Sequence, residues 1–348
     1  MLQNLKNILH QVIPGRRSNR IPGTVSVQSN PPLKAIGLSD FLSIDVAPRE
    51  MLLSPILPER SLAMLYAPRG LGKSWLALSI GLSVASGRSV LRWSAPRPRS
   101  VLYIDGEMPI VALQERLKAI SIAMRTAIPN DGFRILAADN LEGGINLGME
   151  DGQYALEPLV NNLDLLILDN LSTLCTSRSE TASDAWVPMQ NWLLGLRRRG
   201  ISVLLVHHAG VNGRQRGTSR REDALDTVIA LRRPEDYLPE QGARFEIHFE
   251  KLRHRVDGDG AAPFEASVET STDSNGREGI RWTSREIMPS IVKRAAELFA
   301  DGFTVREVAA SLRISKSEAG RLRIRAYNHG LLTTEETTEI NNQPIMVQ

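Results

Sequence analysis

Of 348 residues, only Cys175 is a cysteine. A lone cysteine excludes an intramolecular disulfide and a cysteine-built metal cage, and it fits a reducing cytoplasm. No apolar run approaches the roughly 18–20 residues needed to span a bilayer, which sets a membrane aside as partner. Acids are missing from particular stretches rather than from the whole, since the net charge is only +3. Residues 1–35 carry Lys6, Arg16, Arg17, Arg20 and Lys34 and no acid. The segment Gly210 to Arg221 carries Arg214, Arg216, Arg220 and Arg221, again without an acid. Arg313 to Arg325 sets five basic residues against Glu318. Charge segregated in this way points to a polyanion, with solvated surface charge as the plain alternative.

What is present is ordinary for a globular chain, with 42% hydrophobic and 23% charged residues. Residues 11–35 are rich in Pro, Gly, Ser and Asn and read as linker. Residues 1–37 are therefore expected to be a basic N-terminal arm that docks on a neighbouring subunit or on DNA. From Leu38 onward apolar runs alternate with helical spacing. "SLAMLYA", "SVLYIDGE", "FRILAA", "LDLLILDN" and "ISVLLVHHAG" read as strands. "SWLALSIGLSVASG", "PIVALQERLKAISIAMRT" and "DAWVPMQNWLLGLRRRG" read as helices, with Pro109 suited to a first turn. That alternation predicts an α/β fold with a mainly parallel sheet. Beyond residue 225, "DTVIALRRP", "ARFEIHFEKLRH", "APFEASVE" and "GIRWTS" predict antiparallel strands.

Between the first strand and the first of these helices lies Ala67-Pro68-Arg69-Gly70-Leu71-Gly72-Lys73-Ser74. In a P-loop, backbone N–H groups wrap phosphates, the lysine reaches the outer phosphates, and the hydroxyl ligates Mg²⁺. The first glycine of the strict pattern is replaced by Ala67, a small residue that fits if its φ is negative. Arg69 could touch a phosphate or face solvent. Two acids complete the expected ATP site at the carboxyl ends of parallel strands. Asp169 is placed to hold Mg²⁺ with Ser74, and Glu107 to deprotonate the attacking water. His207 and His208 end the next strand. Alternation lets one face the site, and His208 is the candidate γ-phosphate sensor.

Taken in order, "APRGLGKS", "YIDGE", "LLILDN", "LLVHHAG", "RGTS" and "FEKLRH" resemble the RecA-like hexameric ATPases, in particular plasmid replicative helicases of the RepA kind, relatives of the DnaB core. The resemblance spans residues 38–284 and implies a RecA-like P-loop ATPase domain. It implies that Glu107 is the catalytic base. It also implies that Lys251 and Arg253 reach the ATP site of a neighbouring subunit in a ring. It places the loop with Arg214, Arg216, Arg220 and Arg221 in a central channel gripping single-stranded DNA, although Arg216 could instead serve the ATP interface. That loop has no aromatic residue for base stacking, so its grip would be independent of sequence. The chain departs from the family at Ala67 and continues past the core, and no large helical domain is expected before it.

Residues 285–348 read as a helix-turn-helix, with the trailing segment long enough for a β-wing. Ser315, Lys316, Ser317 and Arg321 lie early on the second helix of the motif, where base and phosphate contacts to duplex DNA occur. A protein-interaction module is the alternative. The leading expectation is a cytoplasmic, ring-forming, ATP-driven DNA motor, a helicase of a plasmid or mobile element. The rival is a DNA-binding regulator or initiator in which ATP sets the oligomeric state. A P-loop kinase is weaker, because it leaves Lys251, Arg253 and the helix-turn-helix without a role.

Overall fold

A computed structural model describes residues 35–124, 131–141, 143–176, 186–210, 223–254, 256, 258–287 and 290–333. Contacts divide the chain into a unit ending at Pro48 and a second from Arg49 onward. In the first, the described residues contain a short helix, α1 (Leu38–Ser43), whose Leu38, Phe41 and Leu42 are exposed.

The second unit begins with two short strands, β1 (Met51–Leu53) and β2 (Leu57–Pro58). The first strand of the main sheet, β3 (Leu62–Ala67), leads into α2 (Lys73–Ser86). The small pair β4 (Ser89–Val90) and β5 (Trp93–Ser94) precedes β6 (Val101–Asp105) and α3 (Ile110–Met124). Then come β7 (Phe133–Leu136), α4 (Glu150–Val160), β8 (Leu165–Asp169) and the one-turn α5 (Leu171–Leu174). The helix α6 (Trp186–Arg198) and β9 (Ser202–His208) follow. Four more strands are β10 (Thr227–Arg232), β11 (Arg244–Leu252), β12 (Phe264–Thr272) and β13 (Glu278–Glu286). The chain ends in α7 (Ser290–Ala300), α8 (Val305–Leu312) and α9 (Lys316–Asn328).

Among the described residues, nine strands form one sheet in the order β13-β12-β11-β10-β3-β9-β8-β6-β7. From β10 to β7 all pairs are parallel, and β10 to β13 are antiparallel. This is the α/β class the sequence predicts, down to the antiparallel strands after residue 225. The near-continuous apolar strands follow from burial on both faces. With period two, Ala63, Leu65 and Ala67 pack under α2 and α3 on one side, while Leu62, Met64 and Tyr66 face the layer of α4 and α6. The helix α4 has no counterpart among the elements read from sequence, because Gly152 and Pro158 interrupt its pattern.

The antiparallel strands curl back over α2 and α3. Trp282 of β13 donates its indole N–H to Ser79 Oγ of α2 at 2.9 Å. Gly279 of β13 sits so close to α3 that a Cβ there would lie 2.8 Å from Ile122. The three last helices have their own core, built from Val292, Ala295, Phe299, Val308, Ala319 and Leu322. Thr304 and Glu307 form a reciprocal capping box at the start of α8, and Ser315 caps α9 by accepting from Glu318 N at 3.2 Å. Arg313 takes the left-handed conformation in the short turn between α8 and α9.

Candidate nucleotide site

The parallel strands deliver their carboxyl ends to one cavity of about 510 Å³. It is lined by Arg69, Gly70, Gly72, Lys73 and Ser74 from the loop after β3 and the start of α2, by Asp105, Glu107 and Met108 at and just past the end of β6, by Asp169 and Asn170 at the end of β8, and by His208 at the end of β9. The sequence separates these residues by up to 139 positions, and the sheet order β3-β9-β8-β6 brings them together.

Gly72, at φ +104°, ends the loop and caps α2 with open N–H groups. A Cβ at Gly72 would lie 2.8 Å from Ala243 Cβ, so the loop between β10 and β11 closes one side of the cavity. Lys73 Nζ donates to the carbonyls of Ala67 at 3.2 Å and Pro68 at 2.9 Å. Leu71 points into the core and is fully buried. Burial pulls the Lys73 ammonium below its usual range, against Asp169 and Glu107, which hold it up. A site that strains an ammonium in this way suits an incoming polyanion.

Asp169 is buried and accepts a 2.5 Å bond from the Tyr103 hydroxyl. Burial raises its carboxyl, while Tyr103, Ser74 and Lys73 oppose the shift. Among the described residues no group of three or more His, Cys, Asp or Glu is arranged to hold a metal. The Ser74 hydroxyl beside the Asp169 carboxylate is instead the sparse set of hard oxygens that suits Mg²⁺ arriving with phosphates, which supply further ligands.

Asp105 accepts from the backbone N–H of Glu107 at 2.9 Å and of Met108 at 2.5 Å. Burial pushes its carboxyl up to about 6, with those two donors opposing. The Glu107 carboxylate accepts from the Asn170 amide and lies 3.8 Å from His208 Nε2. Burial lowers His208 first, and Lys73 lowers it further. Its Nδ1 has no hydrogen-bond partner among the described residues. His207 points away and is 2% exposed.

A family described as an AAA domain matches residues 30–214. The chain belongs to this AAA domain family. Curated relatives of this AAA domain include the DNA repair protein RadA of Rickettsia felis, 27% identical over 164 residues, which are 46% of the chain and 31% of the relative. RadA of Rickettsia bellii is 29% identical over 164 residues, again 46% of the chain and 31% of the relative. The match thus spans about a third of these relatives' length. Among solved structures, a KaiC-like protein of Pyrococcus horikoshii has a TM-score of 0.46 at 14% identity, covering 67% of this chain and 99% of its own. The flagellar accessory protein FlaH of Methanocaldococcus jannaschii has a TM-score of 0.45 at 10% identity, covering 66% and 91%.

The other expected residues are not among those lining this cavity. Val228 of β10 pairs with both Met64 and Lys251, so Lys251 is level with the middle of β3, and Arg253 lies further from the P-loop still. The Arg253 guanidinium donates to the Asp223 carbonyl. Neither residue lines the cavity of its own chain. Arg214, Arg216, Arg220 and Arg221 lie outside the described residues, as does the segment expected to form a wing beyond Thr333. Ser315, Lys316, Ser317 and Arg321 are exposed on and before the first turns of α9, where Arg321 pairs with Glu318 at 2.7 Å. Sequence reasoning passed over Asn170, Tyr103 and Ala243. Asp105 likewise gained its place only in the structure. The amide after "LLILD" was the one available signal for Asn170.

Proposed function

We propose that this chain is a RecA-like ATPase that works as a ring, most simply a hexamer, and drives an activity on DNA of the replicative-helicase kind. The observation that carries the reading is the single cavity uniting Lys73, Ser74, Glu107, Asp169 and His208 at the ends of four parallel strands. The amides at Gly70–Ser74 and the Lys73 ammonium would bind the phosphates of ATP. Mg²⁺, held by Ser74 and Asp169, would neutralise phosphate charge. Glu107 would take the proton of the attacking water as its oxygen bonds to the γ-phosphorus and the β–γ bridging oxygen leaves with ADP. His208 would report loss of the γ-phosphate to the loop that follows it.

Lys251 and Arg253 do not line the cavity of their own chain, which supports their action in a neighbour's site. An arginine supplied in trans is worth roughly 10³–10⁵ in rate. DNA as partner is supported by the acid-free loop carrying Arg214, Arg216, Arg220 and Arg221, and by relatives named as DNA repair proteins. In this reading residues 38–284 are the motor, residues 285–348 are a duplex-binding helix-turn-helix, and residues 1–37 are an arm. The short turn and exposed basic residues of α8 and α9 also support a second reading, an ATP-gated DNA-binding regulator without unwinding activity.

One experiment separates them: strand displacement on forked DNA with ATP, alongside particle size with and without nucleotide. A motor displaces strands as an oligomer and hydrolyses ATP faster with single-stranded DNA. Glu107→Gln is expected to abolish turnover while ATP still binds. Hydrolysis without displacement would leave the regulator reading.

A further inference from the structure

The proposed base is not free. Glu107 follows β6 and Asn170 follows β8, 63 residues later, yet the Asn170 amide donates directly to Glu107 Oε2. Asn170 is 3% exposed, whereas the Glu107 side chain is 61% exposed. A solvated carboxylate on a flexible stem samples many orientations, and one buried donor removes most of them. The Asn170 side chain is itself fixed. Its Oδ1 accepts from Ser172 N at 3.0 Å and Thr173 N at 3.3 Å, which caps α5. The stem of Glu107 is held in parallel, because Asp105 binds the backbone of Glu107 and Met108, and Gly106 N donates to the Asp169 carbonyl at 2.8 Å. Gly106 has no room for a side chain, since a Cβ there would lie 2.5 Å from Thr173 Oγ1.

We propose that Asn170 is a positioning residue for ATP hydrolysis: anchored to α5 through its carbonyl oxygen, it orients the Glu107 carboxylate through its amide. The inference rests on the ATPase reading above. With Oε2 engaged by the amide, Oε1 remains to take the proton of the attacking water. Asn170 acts through Glu107, so it governs turnover rather than binding. Because the amide and the cap share one side chain, any displacement of α5 would also move the base.

Two substitutions separate the donor from the cap. Asn170→Ser retains a capping oxygen and loses the amide that reaches Glu107. Asn170→Asp also retains the cap and sets a second carboxylate against the first. Full-chain protein is assayed for ATP turnover from pH 5 to 9, for binding of a fluorescent ATP analogue, and for thermal unfolding, with Glu107→Gln as control. We expect Asn170→Ser to lower kcat at least about tenfold with KM and analogue binding unchanged. Asn170→Asp should move the acid limb of its rate profile upward by about one pH unit, through like-charge repulsion. Wild-type kcat and pH profile in both variants would overturn the proposal. So would parallel loss of binding and thermal stability, which would make Asn170 a helix cap alone. Either result with an active wild type and an inactive Glu107→Gln leaves the ATPase reading standing. An inactive wild type removes both.

Discussion

Asp105 shows how one residue near the site serves geometry at a cost in stability. Its two backbone acceptor contacts shape the turn that presents Glu107. An acid whose value rises on folding, here from 3.8 to about 6, favours the fold when protonated. That contribution is complete below about pH 4 and is lost as pH rises through about 6. Asp105→Asn retains an acceptor oxygen and removes the charge. Urea unfolding without nucleotide should show it more stable than wild type by on the order of 2 kcal/mol at pH 7, with the difference vanishing near pH 4. At this scale the P-loop and the candidate acids Glu107 and Asp169 could be picked out in the sequence, because each sits at or just past a strand end. Asn170 was not, since its role exists only where β8 lies beside β6.

At the scale of elements, α2 is decided by what it packs on. Gly81 lies in its middle, where a Cβ would come within 2.8 Å of the Phe133 ring and 3.0 Å of Ile167. Helix propensity alone favours alanine there by roughly 1 kcal/mol. Overpacking a filled core costs about 1–3 kcal/mol, so the clash should win. Gly81→Ala is expected to be net destabilising, by up to about 2 kcal/mol, in chemical denaturation. A stabilised variant would show that the sheet yields under α2. The strands themselves were readable as short apolar runs with acid or amide at one end. The helix α4 was hidden by Gly152, which the structure requires because a Cβ there would collide with the Asn146 carbonyl.

At the scale of the molecule, the three last helices carry a core separate from the two that flank the sheet. They touch the sheet side through polar contacts such as Lys293 to Asp236 at 3.5 Å, and Asp236 in turn holds Arg244 at 2.7 Å. The exposed Lys293–Asp236 pair contributes about 0–1 kcal/mol, so stability there is local. Phe299→Ala should remove about 3–5 kcal/mol from the helical core. Hydrogen exchange should then show lost protection in α7, α8 and α9, while β3, β8 and β9 stay protected and ATP analogue binding is retained. Loss of protection throughout would mean that the two parts fold as one. The sequence by itself determined the α/β class and the antiparallel end, and it marked the P-loop, Glu107 and Asp169 as candidates, since each is written in local pattern and period. Only the tertiary structure decided which strand ends meet. It closed the cavity with Ala243, set Asn170 against Glu107 and left Lys251 and Arg253 away from their own P-loop. Strand order and register are settled by packing between distant segments, and no local pattern encodes them.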